Sequence, residues 1–376
     1  MNSSIFMAAS PHPDRAAIMP RRGGLVERVR RRRRGKRACP DPSESSSASP
    51  ADRLTTLPDG RRRLAGFLAR RDAARYARIM QTLSEIRGLL DSAGLAPRRR
   101  LGQNFLIDRN LMGKLLDLAG PLSGRTVLEV GAATGSLTEE LLARCADEGG
   151  RVVAVEADPR LAGLLRRRLA DARRLTLLQR DVLAGKHEIA DDVLDATGPR
   201  ASLVSNLPYN VATPLVAEAL AVTWRTRRGR ARTPCAFDRL TFTVQQEVAD
   251  RLAAAPGCGA YGPVTVAVAL LGRVSSGPAV PPEAFWPRPK VASRMLRIDY
   301  DERDAPRDLD VLRRLVATAF AQRRKRIGSL AKRCGADLDA GAVAAALEVA
   351  GIDPDARPEA VAPGRYRAAA DALSSG

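Results

Sequence analysis

Apolar positions along the chain follow two alternating periods, and these predict where strands and helices lie. Between about residues 126 and 246, short apolar runs alternate with segments in which apolar residues recur at helical spacing, such as LTEELLARCA and TPLVAEALAVT. The strand-like runs are TVLEV (126–130), RVVAVEA (151–157), LTLLQRDV (175–182), ASLVSN (201–206) and LTFTVQQ (240–246). Strands that alternate with helices indicate a mostly parallel, doubly wound α/β sheet of the Rossmann-like class.

The pattern also predicts how the chain is divided. Residues 80–275 are expected to form the Rossmann-like domain, which an amphipathic helix at Met80 opens. Strand signals fade after about 275, and two helical patterns (306–334 and 340–351) predict a smaller helical domain over 276–376. Residues 1–79 contain RVRRRRRGKR and PDPSESSSASP, show little periodicity and are predicted to be a disordered, Arg-rich extension. A start assigned too early and a basic arm for RNA both stay open as readings of it.

Composition narrows the chemistry. The chain has only two histidines, and its five cysteines form no CxxC pair. Ser-His-Asp catalysis and histidine- or cysteine-based metal sites are therefore not expected, and neither is a disulfide framework, which suits a reducing cytoplasm. No apolar run is long enough for a transmembrane helix. The net charge of +20 favours a polyanionic partner such as nucleic acid, although the strong preference for Arg over Lys can also reflect genome composition.

Polar residues at three consecutive strand ends predict a nucleotide site. Gly131 and Gly135, in EVGAATG, allow a tight turn and a close approach of the backbone to a ligand. Glu156 ends the second strand, where an acid can bind both ribose hydroxyls, and Asp181 ends the third, where it can accept a hydrogen bond from an adenine amino group. The dinucleotide pattern G-x-G-x-x-G is absent. An adenosine without phosphates fits better, and S-adenosylmethionine is the expected cofactor.

The fourth strand ends in the tetrapeptide NLPY (206–209), which suggests what the site does. The exocyclic amine of adenine is a poor nucleophile, because its lone pair is delocalised into the ring. The Asn206 side-chain oxygen, with the Leu207 or Pro208 carbonyl, can accept hydrogen bonds from that amine and aim its lone pair at a methyl donor. Pro208 fixes the backbone, and Tyr209 can stack on the extruded base. This mechanism requires no histidine and no metal.

The ordered set of motifs resembles the ribosomal RNA adenine dimethyltransferase family of the small-subunit type. The resemblance covers residues 80–373. The motifs that carry it are RRRLGQNFLID (98–108), VLEVGAATGSLT, VVAVEADPRL, RDVL, NLPYN, VQQEVADRL (244–252) with YGPVTV, PPEAFWPRPKVASRMLRI (281–298), FAQRRKRI (320–327) and RPEAV (357–361). Large-subunit dimethyltransferases share the sheet motifs, but AFWPRPKV, RRK and the RPE tail favour the small-subunit branch.

The resemblance implies roles for residues that spacing alone does not identify. Asn104 and Leu106 are expected to bind S-adenosylmethionine together with Gly131, Glu156, Asp181 and Asn206. Phe285 is expected to sandwich the target adenine with Tyr209. Two departures from the family pattern are Ala133, where the family has a glycine, and Ala292, where it usually has Asp.

The function implied is dimethylation of two adjacent adenines near the 3′ end of small-subunit (16S) rRNA. The expected setting is a pre-30S particle in the cytoplasm, with the protein acting as a monomer. A non-catalytic RNA-binding assembly factor and DNA adenine methylation are alternatives. The Arg-rich segments 224–233 and 322–326 are both candidates for phosphate contacts, and a solvated charge run is the alternative for the first.

Overall fold

A seven-stranded sheet organises the part of the chain that the structure, a computed structural model, describes: residues 81–98, 102–145, 149–333 and 339–375. The predicted extension over 1–79 lies outside these ranges. The strands of the seven-stranded sheet are β2 (Thr126–Val130), β3 (Arg151–Glu156), β4 (Leu175–Gln179), β5 (Ala201–Asn206), β6 (Phe237–Gln245), β7 (Gly272–Val280) and β9 (Ser293–Tyr300). A separate ribbon pairs β1 (Phe105–Leu106) with β8 (Phe285–Trp286).

The strand order is β4-β3-β2-β5-β6-β9-β7, and the pairs from β4 to β6 are parallel. The strand β9 pairs antiparallel with both β6 and β7. The central strands are apolar on both faces, as parallel strands covered by helices must be: Val127 and Leu128 are fully buried on β2. This is the predicted Rossmann-like class, and the carboxyl ends of β2 to β6 share one edge of the sheet.

Helices cover both faces of the sheet and form the C-terminal part of the chain. They are α1 (Leu83–Ser92), α2 (Arg109–Ala119), α3 (Ser136–Arg144), α4 (Pro159–Arg168), α5 (Asp191–Thr197), α6 (Ala212–Arg227), α7 (Gln246–Leu252), α8 (Pro263–Leu271), α9 (Leu309–Ala321), α10 (Ala340–Val349) and α11 (Pro363–Leu373). One apolar core continues from Leu203 and Phe242 on the sheet to Leu312 and Tyr366 on the last helices. Within the described ranges, none of the helices has the length and apolar character needed to span a bilayer.

The expectation that strands end near residue 275 is wrong. The strand β7 crosses that position, and β9 lies between β6 and β7, so a boundary at 275 falls inside the large sheet. The signal in β9 is the apolar pattern of SRMLRIDY, in which Met295, Leu296 and Ile298 are fully buried. The apolar pattern is interrupted by two arginines, and this interruption hides the strand. Arg297 pairs with Asp299 at 2.8 Å, and Arg294 donates to the Gln246 side chain at 3.3 Å.

The helix predicted over 306–334 ends much earlier, at Ala321. The chain then turns so that Ile327 and Leu330, both fully buried, reach the core. The turn is held by two backbone hydrogen bonds, from Ile327 N to Ala356 O (2.8 Å) and from Gly328 N to Pro354 O (2.9 Å). Burial of two apolar side chains therefore outweighs continuation of a helix through a run of four cations.

All five arginines of the segment 224–233 bind acids or aromatic rings of the same chain. Arg225 contacts the buried Glu218 at 2.8 Å, Arg227 contacts Asp238 at 2.9 Å, and Arg228 contacts Glu302 at 3.3 Å. Arg232 pairs with Asp191, and Arg230 lies over the Trp224 ring. The segment joins α6 to β6 at the amino-terminal ends of the parallel strands, here called the amino edge of the sheet. These arginines therefore stabilise the edge opposite the one formed by the carboxyl ends of the strands.

The buried carboxylate of Glu218 connects the sheet domain to the C-terminal helices. Its two oxygens bind Arg225 on α6 (2.8 Å) and Arg313 on α9 (3.0 Å). We expect Glu218→Gln, which keeps the volume but removes the charge, to lower the free energy of unfolding by about 2 kcal/mol, because two guanidinium groups lose the negative charge that they share. Within the described ranges only Arg225 keeps a second acid, Asp310 at 3.6 Å. Urea denaturation measures this.

The matched control is Glu302→Gln, since this partly exposed carboxylate pairs with arginines in solvent and should contribute less than about 1 kcal/mol. Equal effects of the two substitutions would contradict the role given to Glu218.

Candidate active site

The carboxyl ends of the parallel strands surround one pocket, whose remaining wall is the segment that includes β1. All six residues expected to bind the cofactor line it: Asn104, Leu106, Gly131, Glu156, Asp181 and Asn206. The sheet supplies four of them, and the other two belong to the chain before α2. The structure thus brings the six together; their roles stay predictions until a ligand is tested.

The backbone N–H groups of the loop after β2 donate hydrogen bonds to other groups of the protein. Gly131 N and Ala132 N both donate to Val155 O, at 2.8 and 3.4 Å, and Ala133 N donates to the Glu156 carboxylate at 2.8 Å. A phosphate-binding loop must instead leave such N–H groups pointing at the ligand. These three amides are therefore unavailable to a phosphate, which agrees with an adenosine that carries none.

Glu156 lies where β3 ends, and both of its oxygens are held in place. Oε2 accepts from Ala133 N and Oε1 from Asp158 N, each at 2.8 Å. Burial raises the pKa of Glu156, while these backbone donors partly offset that rise. Each carboxylate oxygen has a further lone pair, so the group can still accept from two neighbouring hydroxyls such as those of a ribose.

Asp181 is at the exposed rim of the pocket. Its Oδ1 accepts from Leu183 N at 3.0 Å, and its carbonyl accepts from Arg180 Nε at 3.0 Å. Arg180 is itself anchored by an ion pair with Asp192 on α5. The carboxylate is therefore oriented by its own turn and can accept from an amino group at the pocket edge.

The amide of Asn206, at the tip of β5, is oriented by the neighbouring wall. Its Nδ2 donates to the backbone carbonyl of Asn104 at 2.9 Å. Because a carbonyl can only accept, the side-chain nitrogen must face Asn104, and Oδ1 points the other way. Asn206 thus offers an acceptor to whatever enters the pocket beside it.

The backbone after Asn206 provides one further acceptor. Pro208 O already accepts from Val211 N at 3.2 Å, whereas no donor in the described ranges reaches Leu207 O. Of the two carbonyls proposed from the sequence, that of Leu207 is the available one. Gly131 (φ 79°) explains the close packing here: a Cβ on it would lie 2.9 Å from Pro208 Cγ.

The two aromatic residues expected to hold a base are placed differently. Tyr209 is half-buried, and burial raises its pKa, an effect that the nearby Ser293 hydroxyl partly offsets. Phe285 is only 3% exposed, pairs with Leu106 in the ribbon and belongs to an apolar cluster with Met112 and Leu115. Neither ring lines the pocket as the described residues define it, so the sandwich stays a prediction.

Sequence reasoning missed other groups at the pocket. Glu129 on β2 lines it and is buried, and its signal was an acid inside the apolar run TVLEV. Gln103 also lines it, and its Nε2 lies 3.5 Å from the buried Asp158 carboxylate. Asp158 caps α4 and contacts Arg98 at 3.5 Å. No local pattern in the sequence indicated this link between the wall segment and β3.

Ala133 has a left-handed backbone conformation (φ 54°), alone among the described residues other than glycine. It stands where the family pattern has a glycine. The following carbonyl, Thr134 O, is held by Arg168 Nη1 (2.7 Å) and Gln81 Nε2 (3.1 Å). These contacts keep the loop in a conformation that costs an alanine of the order of 1 kcal/mol.

The pocket suits a cationic adenosine derivative. Apolar side chains such as Val130, Val155 and Val182 line it together with the acids Glu129, Glu156 and Asp181, and Arg180 is the one basic residue among its described lining. A flat base fits the apolar part, a ribose fits Glu156, and a pocket in which acids outnumber the one basic residue accommodates a positive centre. The residues that line the pocket therefore fit S-adenosylmethionine.

Comparisons with known proteins agree with this assignment. Residues 94–359 match the family model described as ribosomal RNA adenine dimethylase. A protein named ribosomal RNA small subunit methyltransferase A from Phenylobacterium zucineum is 39% identical over 294 residues, covering 78% of this chain and 94% of its own. A protein of the same name from Jannaschia sp. is 41% identical over 275 residues, covering 71% and 87%.

A solved structure shares the fold. It is a dimethyladenosine transferase from Plasmodium falciparum, with 19% identity, a TM-score of 0.52, and coverage of 70% of this chain and 95% of that one.

The strain at Ala133 can be measured. We expect Ala133→Gly to raise the free energy of unfolding by about 0.5–1 kcal/mol, because glycine adopts φ near 54° without the steric cost. The matched control is Ala132→Gly in the same loop, where φ is not positive and loss of the methyl group should destabilise the protein. Thermal or urea unfolding compares the two; a loss of stability in both variants would show that Ala133 is not strained.

Proposed function

Because the chain belongs to the ribosomal RNA adenine dimethylase family, we propose that it dimethylates the N6 amino groups of two adjacent adenosines near the 3′ end of small-subunit rRNA. It is an S-adenosylmethionine-dependent rRNA adenine dimethyltransferase. The family match covers both the sheet and most of the C-terminal helices.

The orientation of the Asn206 amide carries the proposal. With Nδ2 bound to Asn104 O, Oδ1 can accept one N–H of the target amine, and Leu207 O can accept the other. Two acceptors draw the nitrogen towards a pyramidal geometry and free its lone pair. Position and preorganised acceptors then supply most of the rate.

The remaining site residues hold the reactants. Glu156 binds the ribose hydroxyls, Asp181 the adenine amino group of the cofactor, and Asn104 and Leu106 form the wall beside them. When bound, S-adenosylmethionine supplies the electrophilic methyl group. Tyr209 is the better supported platform for the target base, because Phe285 is almost fully buried.

The RNA contacts are assigned to the pocket side of the molecule. In the segment 322–326, Arg323 binds Glu359 and Cys258 O, whereas Arg324 and Lys325 are exposed. Arg323 joins this segment to Cys258, in the turn after α7, and α7 itself begins at the carboxyl end of β6. We propose that these groups contact phosphates of rRNA within a pre-30S particle, and that the protein acts as a cytoplasmic monomer.

Product analysis tests the function. The full-length protein is given labelled S-adenosylmethionine and undermethylated small ribosomal subunits, and the product is mapped by nuclease digestion and mass spectrometry. Dimethyladenosine at two adjacent positions near the 3′ end is the expected result. Tight binding of the particle without any methylation would favour a non-catalytic assembly factor. Methylation only of large-subunit RNA would show that the protein is a large-subunit rRNA adenine dimethyltransferase.

Asn206 can be tested separately from binding. We expect Asn206→Ala to reduce methyl transfer about a thousandfold, because the amine loses its oriented acceptor, while affinity for S-adenosylhomocysteine changes less than about tenfold. Single-turnover kinetics and calorimetry measure the two effects.

The matched control is Asn110→Ala, an exposed asparagine on α2. A further variant, Asn206→Asp, keeps an acceptor but places a carboxylate against Asn104 O, so it should weaken cofactor binding as well. If Asn206→Ala loses binding and turnover in equal measure, the acceptor role is wrong.

A further inference from the structure

Glu129 is an acid inside the apolar strand β2, and its side chain is part of the pocket wall. It is 2% exposed, and Thr138 Oγ1 donates to its Oε2 at 2.6 Å. For Oε1, the described residues offer no hydrogen-bond donor. The carboxyl group is thus fixed on one side by α3 and has one oxygen left for the pocket.

Burial raises the pKa of Glu129 to about 8, and the neighbouring Glu156 adds to the rise, although Thr138 opposes it. The other charged groups that line the same pocket are Arg180 and Asp181, after β4. Around pH 7, in the absence of a ligand, Glu129 therefore holds a proton.

The expected cofactor and its product differ by one charge. The sulfur of S-adenosylmethionine is a sulfonium cation, whereas the sulfur of S-adenosylhomocysteine is neutral. We propose that Glu129 distinguishes the two, losing its proton to solvent when the cationic cofactor binds and keeping it when the neutral-sulfur product is bound. This inference rests on the proposed use of S-adenosylmethionine.

Simple electrostatics gives the size of the effect. At an effective dielectric constant of about 20, a cation bound at roughly 6 Å from a carboxylate would favour its ionised form by roughly two pKa units. The protons balance over one turnover: Glu129 releases one to the buffer on binding, the target amine loses one as its N–CH3 bond forms and the S–CH3 bond breaks, and Glu129 regains one when the sulfur becomes neutral. Below pH 8, binding of the cation must first expel this proton, so its affinity falls as the pH falls.

The consequence is selection of the substrate against the product. A neutral Glu129 gives no special preference for either ligand, whereas an ionised Glu129 favours only the cation. As the pH rises through the pKa of Glu129, the enzyme should bind S-adenosylmethionine progressively better than S-adenosylhomocysteine. Glu156 is expected to contact the ribose that both ligands share, so its direct hydrogen bonds contribute to both affinities, and the Glu129→Gln variant separates its titration from that of Glu129.

Calorimetry on the full-length protein tests this. Both ligands are titrated between pH 6.5 and 8.5 in buffers of different ionisation enthalpy, which gives the number of protons exchanged. We expect S-adenosylmethionine to release close to one proton more than S-adenosylhomocysteine near pH 7. The ratio of the two affinities should rise about tenfold over this pH range.

Two variants make the result specific. Glu129→Gln keeps the shape and the acceptor for Thr138 but cannot ionise, so the difference between the ligands should become independent of pH. Glu140→Gln is the matched control: Glu140 on α3 is also buried, with a pKa raised to about 7, but it does not line the pocket. Its removal should leave the difference unchanged.

The outcomes separate this inference from the proposed function. Equal proton release by the two ligands would overturn the role of Glu129. A difference that persists in Glu129→Gln would overturn it too, because the difference would then belong to the ligand's own amino group. Failure of either ligand to bind would instead count against the proposed cofactor.

Discussion

The structure depends on the parallel pairing of β2, β3, β4 and β5. Parallel strands end on the same side, so the polar residues that follow each apolar run meet there although they are far apart in sequence. Glu156 links two of these strand ends: its carboxylate accepts hydrogen bonds from a backbone N–H in the loop after β2 and from one in the turn after β3. Without that pairing none of the strand-end residues would face a common ligand.

The sheet alone does not complete the site. The segment from Gly102 to Leu106 joins three parts of it: Gln103 reaches Asp158 beside β3, Asn104 O holds Asn206 on β5, and β1 pairs with β8. One wall therefore contacts both the end of β3 and the end of β5, and a single hydrogen bond joins it to the Asn206 side chain. Only the folded chain shows this connection.

Much of this could be predicted from the sequence, for physical reasons. Buried parallel strands are short apolar runs, and the residues that interrupt them mark their ends; hence Gly131, Glu156, Asp181 and Asn206 were found. Asn104 and Leu106 required the family resemblance, because no local pattern links them to the sheet. The strand β9 was missed because its arginines interrupt the apolar pattern, and the end of α9 was missed because the burial of Ile327 and Leu330 depends on distant residues.

The paired arginines at the amino edge have a consequence for how the molecule meets RNA. An arginine bound to an acid a few ångströms away has a weaker field at longer range, so the segment 224–233 contributes less to the distant field than its five arginines suggest. In the segment proposed to meet RNA, Arg324 and Lys325 are exposed, as is Lys290 elsewhere, whereas Arg288 is paired with Glu283. The arginine content of a segment therefore overstates its attraction for RNA wherever the guanidinium groups are already bound to acids of the same chain.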